Sequence, residues 1–340
     1  SLADWDGFPR RRAEASRRGQ LAGIGVANYV EAPVGAPHER VHATVVADGS
    51  VELVAGTQST GQGHETSFAQ VAADQLGVSP QQVRLVTGDT AVVTSGGGTH
   101  SDRSMRLAGT LIVEACGKIR ERARQVAAQV LEVAPEDLVY ANAGWSVVGL
   151  GTDRYLSLFD AARVDGIRAE ATFTGRIPAH PTGTAVCEVE VDPETGALTV
   201  VRYTAVDDVG QPINPLILHG QVAGGIVQGV GQAMLENAVY EAGSGQLLTS
   251  SFLDYAIPRA SGVPNFRLDL TEDPTPGNPL RVKGGGEAGI TPALAAVVNA
   301  VVDALRPLGI DHLEMPVTGE LIRAAIARSQ NGVRPDIASS

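Results

Sequence analysis

Cysteine is scarce in this sequence: among 340 residues there are only Cys116 and Cys187, far apart and outside any C-x-x-C pair. The sequence therefore encodes neither a disulfide framework nor a thiolate site for zinc or an iron–sulfur cluster. Two isolated cysteines are compatible with a reducing compartment, and we expect a cytoplasmic protein.

An excess of positive charge is also lacking. The formal net charge is −12, and the one basic run, "RRRAEASRR", has no interleaved aromatic residues. We therefore expect no nucleic-acid partner. No apolar run approaches the roughly 20 residues that cross a bilayer, and the first residues lack the apolar centre of a signal peptide. No membrane span is expected.

The sequence does contain enough apolar residues for a large core, and many glycines and prolines that favour turns. Hydrophobic residues make up 43% of the chain and charged residues only 19%, which fits a globular protein of two domains or one duplicated domain. The 40 glycines and 19 prolines predict tight turns between regular elements. Binding sites are usually built on such loops, so the glycine-rich segments are the first candidates.

The pattern along the chain predicts strands and helices without steady alternation. Residues 41–57 alternate apolar and polar around Asp48-Gly49, which predicts a hairpin, and residues 184–208 predict a longer one. In each half a loop containing Gly and Gln then leads into a helix, and a third unit follows "FRLDLTE". This order favours an α+β fold, with one lobe at 1–150, a boundary region at 151–181 and a second lobe at 182–340.

Three glycine-rich loops each end where a helix is predicted to begin: "GQGHET", "GTHSDRS" and "VKGGGEAG". Such ends offer N–H donors, so their convergence would make a polar cradle for an anionic ligand. In the third loop the glycines spell G-x-G-x-x-G, but Glu287 puts a negative charge where a pyrophosphate would bind. Either the match is accidental or the carboxylate is itself the working group.

Four motifs, taken in order, carry a resemblance to a known family. They are "TGQGHETSFAQVAADQLGV", "VRLVTGDT" with "GGGTHSDRS", "QPINP" with "HGQVAGGIVQGVGQAMLE", and "VKGGGEAG". The same order is found in the molybdenum-binding large subunits of the xanthine dehydrogenase/aldehyde oxidase family, and the chain most resembles the carbon monoxide dehydrogenase-like hydroxylases. The likeness covers only the C-terminal part of such a subunit. It implies a molybdopterin-binding domain of the xanthine dehydrogenase type, with repeated hairpin, loop and helix units in two lobes.

The resemblance also implies a cofactor, a reaction and partners. The cofactor would be molybdopterin cytosine dinucleotide, whose molybdenum is held by the pterin dithiolene and not by protein side chains. The reaction would be the hydroxylation of an N-heteroaromatic or aldehyde substrate, with water as the oxygen source. Electrons would pass to partner subunits that carry [2Fe-2S] clusters and FAD. A polypeptide equivalent to the missing N-terminal half would complete the subunit.

The expected site residues follow from matching the family motifs. Glu287 matches the glutamate that acts as the general base beside the metal. The expected cofactor contacts are Gly61, Gln62, Gly63, His64, Ser101, Asp102, Arg103, Ser104, Gln221, Lys283, Gly284 and Gly286.

Several of these positions have a second interpretation. Arg103 is expected to pair with the pyrophosphate, whereas Asp102 replaces a residue that is commonly small or neutral there. His64 could instead cap its own helix, and Gln221 could be a helix cap or a surface residue. Lys283 could steady the dinucleotide or the charge on Glu287, or could form only a surface salt bridge.

Two other functions remain open at this point. A Rossmann-type nicotinamide dehydrogenase rests on G-x-G-x-x-G alone and would need a strand ending in an acid after the following helix, for which "LGIDHLEMP" is a poor match. A non-catalytic scaffold subunit would use the glycines only as turns. Analysis of purified material would separate the three functions: bound molybdenum indicates the hydroxylase, bound nicotinamide the dehydrogenase, and neither group the scaffold subunit.

Overall fold

The computed structural model describes residues 2–149 and 154–331, and the α+β prediction is confirmed. Parts of the predicted boundary region and second lobe, at 151–153 and 332–340, lie outside the described residues. The strands are β1 (Leu21–Val30), β2 (His38–Val45), β3 (Val51–Ala55), β4 (Val83–Val86), β5 (Leu138–Ala141), β6 (Gly144–Val147), β7 (Tyr155–Ser157), β8 (Arg168–Thr174), β9 (Thr182–Val191), β10 (Leu198–Asp208) and β11 (Arg267–Thr271). The α-helices are α1 (Phe8–Arg17), α2 (His64–Leu76), α3 (Thr110–Val130), α4 (Leu158–Val164), α5 (Pro215–Met234), α6 (Ile290–Leu305) and α7 (Gly319–Gln330).

A first four-stranded sheet has the order β4-β3-β2-β8. Its β2–β3 hairpin is the one predicted at 41–57: β2 and β3 alternate strictly between buried and less buried residues, and Asp48 accepts the N–H of Ser50 in the turn. The buried face packs against α2, α3 and α4 around Phe68, Leu111 and Ile112. This alternation is what a half-buried antiparallel strand requires.

A second four-stranded sheet has the order β1-β9-β10-β11. Its long β9–β10 hairpin is the one predicted at 184–208, and it turns where Asp192 accepts the N–H groups of Glu194 and Thr195. Helices α5, α6 and α7 cover this sheet and complete its apolar core. The small sheet β5-β6-β7 contains a hairpin near Trp145 and packs beside the end of α3.

The sheets do not follow the predicted division at residue 150. Strand β1 belongs to the second sheet, where it pairs antiparallel with β9 from Leu21↔Val191 to Val30↔Thr182. Strand β8, from the predicted boundary region, belongs to the first sheet beside β2. The chain therefore begins in the second sheet, forms the first sheet, and then returns to the second, so the two sheets are not made from two consecutive segments.

Helix α6 lies directly on β1 because that strand carries glycine at the contact. A Cβ at Gly23 would come within 2.0 Å of Ala300 O, and one at Gly25 within 2.2 Å of Ala296 O. No side chain could occupy either point without moving the helix. The helix position also fixes the glycine loop that immediately precedes it.

The stretch Ile290–Leu308 is also long and apolar enough to qualify as a membrane span by length and composition, contrary to the expectation that no run approaches that length. In this fold it serves as a core helix. Ala293, Ala296, Val297 and Val301 of α6 are fully buried against the second sheet and its neighbouring helices. A core helix can pass the same test of length and composition as a membrane span.

Candidate functional site

The three glycine-rich loops meet around one cavity of ≈ 370 Å³. Its lining comes from the starts of α2 and α5, from the π-helical segment Ser104–Gly109 that leads into α3, and from the loop before α6. Helix N-termini carry partial positive charge and N–H groups without a helical partner. The site residues of the lining are Gln62, His64, Ser101, Asp102, Arg103, Ser104, Gln221, Lys283, Gly284, Gly286 and Glu287.

The loop before α2 presents an amide to the cavity. The Oε1 atom of Gln62 accepts the backbone N–H of Thr60 at 2.6 Å, which orients the side chain and leaves its NH₂ group as a donor. His64 is buried, stacks on Phe68 with ring centroids 4.9 Å apart, and has Nδ1 3.3 Å from Thr57 O. Burial lowers the pKa of His64. Its contacts are those of a packed neutral side chain with its edge on the cavity.

Asp102 joins the second loop to the third. Its Oδ1 accepts the backbone N–H of Gly286 at 2.6 Å and that of Glu287 at 3.1 Å. A Cβ at Gly284 would lie 2.2 Å from the Asp102 carboxylate, so glycine is required for this approach. Two N–H groups of the glycine loop are therefore occupied by a protein carboxylate, which leaves a G-x-G-x-x-G pyrophosphate site without those donors.

Glu287 is partly buried at the rim of the cavity, and its carboxylate is oriented by the second loop. Its Oε1 accepts the backbone N–H of Ser101 at 3.2 Å. Ser101 and Asp102 are both left-handed, with φ of 49° and 54°, a conformation that costs energy in residues other than glycine. The strained turn aims the Ser101 N–H and the Asp102 carboxylate at the same short segment.

Arg103, which was predicted to pair with a pyrophosphate, donates its hydrogen bonds to protein acceptors in the structure. The residue is 0% exposed, and its Nη1 donates to Oε2 of Glu39, also 0% exposed, at 2.7 Å. Other N–H groups donate to Ala36 O, Gly98 O and His38 O. Four of the five guanidinium donors are thus committed to protein acceptors, and Glu39 neutralises the charge. The arrangement fixes the loop that precedes the π-helical segment.

Lys283 and Gln221 both bind protein groups at the cavity wall. The Nζ of Lys283 forms ion pairs with Asp208 and Asp273, which corresponds to the salt-bridge interpretation and not to a pair with Glu287. Burial opposes the charge of Lys283, but the hydrogen bond and charge of Asp208 outweigh it and raise its pKa. Gln221 projects from α5, and its Nε2 donates to Gly286 O at 2.7 Å. This hydrogen bond helps to hold the glycine loop before α6 in place.

Two residues near the cavity were not predicted. Asn214 caps α5 by accepting the N–H of Ile217 at 3.1 Å, and its amide donates to Gln70 at 3.0 Å; Asn immediately before Pro215 is a recognisable helix start. Glu31, just after β1, is half-buried, and burial followed by the charge of Asp102 raises its pKa to about 9. Its sequence surroundings, "YVEAPV", contain no signal for such a position.

The residues around the cavity fit a large anionic cofactor whose metal needs no protein ligand. The starts of α2 and α5, the Gln62 amide and a closely approached backbone at Gly284 supply neutral donors and space. The two cations of the lining, Arg103 and Lys283, are already paired with carboxylates. Anionic groups would therefore be recognised by N–H donors and helix ends, as in other phosphate sites at helix termini.

Comparison with known proteins agrees with this geometry. Residues 1–264 match the family model described as a molybdopterin cofactor-binding domain. The chain is 34% identical over 346 residues to the nicotine 6-hydroxylase large subunit of Paenarthrobacter nicotinovorans, covering 94% of this chain and 42% of that relative.

Solved structures show the same likeness. The reconstituted CO dehydrogenase from Oligotropha carboxidovorans superposes with a TM-score of 0.86 at 29% identity, over 97% of this chain and 44% of that chain. Quinoline 2-oxidoreductase from Pseudomonas putida 86 superposes with a TM-score of 0.83 at 33% identity, over 95% and 44%. The chain thus spans less than half the length of the relatives it matches. It belongs to the molybdopterin cofactor-binding family, in the molybdenum-binding subunits of the xanthine dehydrogenase/aldehyde oxidase type.

Proposed function

We propose that this chain is the cofactor-holding part of a molybdenum hydroxylase that binds molybdopterin cytosine dinucleotide and hydroxylates an N-heteroaromatic or aldehyde substrate. The net reaction adds the oxygen of water to a C–H bond and releases two protons and two electrons. Family membership supports the cofactor, and the names of two relatives, a nicotine 6-hydroxylase and a quinoline 2-oxidoreductase, support an N-heteroaromatic ring as the substrate class.

The cofactor would lie in the ≈ 370 Å³ cavity. Gln62, with its Oε1 already engaged by Thr60, would donate through its NH₂ group, and the turn at Gly61 and Gly63 would bring the start of α2 close. Ser101 and Ser104 would contribute from the second loop, and Gln221 from α5. When bound, molybdopterin supplies a molybdenum centre that takes up the two electrons of the reaction.

The chain's own contribution to the chemistry is a proton acceptor in a fixed position. Glu287 is partly shielded from water, and the Ser101 N–H binds one of its oxygens at 3.2 Å, so the other oxygen can accept a proton. A general base must stand within hydrogen-bonding reach of the proton it removes. The observation that carries the proposal is this carboxylate at the rim of a cavity where three glycine-rich loops meet.

The partners follow from the reaction. Two electrons must leave, and we propose [2Fe-2S] and FAD subunits as their acceptors, with a polypeptide equivalent to the missing half of the subunit closing the cavity. Co-purification from the native source should show both the iron–sulfur and the flavin spectra. Dye reduction by a native complex without iron or flavin would contradict this electron path.

The proposal is tested by molybdenum and pterin analysis of this chain alone and of the chain combined with the complementary half. We expect stoichiometric molybdenum only in the combined sample, because this chain spans less than half the length of the relatives it matches. Bound nicotinamide would favour the dehydrogenase, and neither group would favour a scaffold. A screen of N-heteroaromatic compounds, aldehydes and carbon monoxide on the molybdenum-loaded complex then identifies the substrate class.

A further inference from the structure

Exposed apolar side chains are concentrated in residues 235–257, the stretch that follows α5 and is called here the post-α5 segment. Phe252 and Leu253 are 86% and 94% exposed. The other large apolar side chains that it exposes are Leu235, Val239, Tyr240, Leu248 and Ile257. Single exposed apolar residues are common on protein surfaces, but a group of them within one short segment marks an interaction surface.

The first part of the post-α5 segment is a short hairpin with a fixed backbone. Tyr240 and Leu247 pair in an antiparallel bridge. In the turn between them, the Glu241 carboxylate accepts the backbone N–H groups of Gly243 and Ser244. The apolar side chains of the hairpin are therefore exposed by a hydrogen-bonded structure, and their positions are defined before any partner binds.

The most exposed pair lies at the tip of a second turn. The backbone O of Ser251 accepts the N–H groups of Asp254 and Tyr255 at 3.1 and 2.8 Å, so Phe252 and Leu253 occupy the centre of the turn. Such positions are usually taken by Gly, Pro, Asn, Asp or Ser. Two large apolar side chains add nothing to the turn itself, whereas burial by a partner would stabilise the assembly.

The post-α5 segment is fixed to the end of α5. The Tyr255 hydroxyl donates to Glu236 Oε2 at 2.8 Å, and a Cβ at Gly231 would lie 2.7 Å from Pro258 Cγ. The start of α5 lines the cavity, and Leu216 at that end is 82% exposed. A helix of 20 residues is about 30 Å long. Exposed apolar groups therefore lie at both ends of one rigid element.

The charge of the post-α5 segment limits the kind of partner. Residues 235–257 contain Glu236, Glu241 and Asp254 but no Lys or Arg. Anionic membrane surfaces attract basic segments, so an acidic one is a poor membrane anchor. Protein interfaces combine an apolar centre with a polar rim of complementary charge. The surface therefore fits a protein that has an apolar centre and a basic rim.

The length of the relatives indicates which protein this is. The chain spans 42% of the nicotine 6-hydroxylase large subunit and 44% of the CO dehydrogenase chain, so more than half of each subunit lies outside the matched part. The rest of one subunit is a permanent neighbour, and permanent interfaces are the more hydrophobic class.

We propose that the post-α5 segment docks the complementary half of the large subunit, with Phe252 as the central apolar anchor. The inference rests on the proposed function, because that function includes this polypeptide as the part that closes the cavity. The new element is the surface that holds it. A partner that reaches both the cavity and the post-α5 segment extends along the whole of α5.

Photochemical cross-linking of the complete complex tests the proposal. The photoreactive amino acid p-benzoylphenylalanine is placed at position 252, at position 216 beside the cavity, or at position 164. The last is a control, because Val164 is 60% exposed at the end of α4 in the other layer. Positions 252 and 216 should cross-link to the complementary half, and position 164 clearly less. A cross-link from 216 but not from 252, or from 252 to a second copy or to an iron–sulfur or flavin polypeptide, would overturn the proposal.

Matched substitutions give a second measurement. With the complementary half supplied as a separate polypeptide, Phe252→Ser should weaken assembly at least about tenfold, as expected for the truncation of an interface anchor. Val164→Ser should change it less than about twofold, and equal effects would overturn the proposal. Neither measurement needs bound molybdenum. A complex that cross-links through position 252 but binds no molybdenum contradicts only the proposed cofactor, and a loaded complex without that cross-link contradicts only the docking surface.

Discussion

The carboxylate of Asp102 accepts a hydrogen bond from the backbone N–H of Glu287 at 3.1 Å, although the two residues are 185 positions apart. The returning bond, from Ser101 N–H to the Glu287 carboxylate, spans 3.2 Å. The two loops thereby fix one another, and the side chain proposed as the base is held by backbone groups of a turn in a strained conformation. The site is therefore built from pairs of loops and not from any single glycine motif.

The first prediction concerns this link. Asp102→Asn keeps an oxygen that can accept the N–H groups of Gly286 and Glu287, whereas Asp102→Ala leaves both without an acceptor. We expect the Ala variant to lose about 1–3 kcal/mol of unfolding free energy and the Asn variant clearly less. Chemical denaturation of both variants checks this. Equal losses would show that the hydrogen bonds to the glycine loop do not contribute.

The second prediction concerns Glu287. Glu287→Gln can still accept the Ser101 N–H but cannot take up a proton, so the loop should fold and the cofactor should remain. We expect kcat to fall about 10²- to 10⁴-fold, measured at confirmed full molybdenum occupancy. If the fall were less than about tenfold, Glu287 would be a structural residue of the loop.

The third prediction concerns the buried pair of Arg103 and Glu39. Glu39→Gln removes the negative charge beside a guanidinium that is 0% exposed, and leaving a buried charge unpaired costs about 3–5 kcal/mol. The matched control is Glu14→Gln, because the Arg10–Glu14 side chains are 71% and 38% exposed and such pairs contribute about 0–1 kcal/mol. Urea denaturation compares the two variants. Similar small losses would mean that water reaches the Arg103 site.

The fourth prediction concerns pH. Burial raises the pKa of Asp207 to about 6, although the Tyr29 hydroxyl opposes the shift. An acid whose pKa is higher in the folded protein binds its proton more tightly there, so the stability it contributes is present below the unfolded pKa and lost as pH rises through about 6. In the wild type this should lower the free energy of unfolding by about 2–3 kcal/mol between pH ~4 and ~7, and Asp207→Asn should remove that decrease. Unfolding curves across this range provide the measurement, and parallel profiles for the two proteins would contradict it.

Several residues that were matched to the family motifs lie together in the structure, because those motifs are short loops that precede helices. Glu287, Gln62 and the loop at Ser101 to Ser104 line one cavity, as their sequence positions suggested. Arg103 was matched to the family's dinucleotide loop, and Lys283 was expected to steady the dinucleotide or the charge on Glu287, or to form only a salt bridge. Their acidic partners, Glu39 and Asp208, come from distant segments, so nothing adjacent in the sequence indicated that those charges were already paired.

The sequence by itself determined the local elements: the β2–β3 and β9–β10 hairpins, the start of α2 and the glycine loop before α6. Alternation, turn residues and helix starts are properties of neighbouring residues, and their energetics act over a few positions. Only the tertiary structure decided that β1 joins β9 in the second sheet and that Asp102 accepts the backbone N–H of Glu287. Those contacts depend on which surfaces the whole chain buries together, and the raised pKa of Glu31 depends first on that burial.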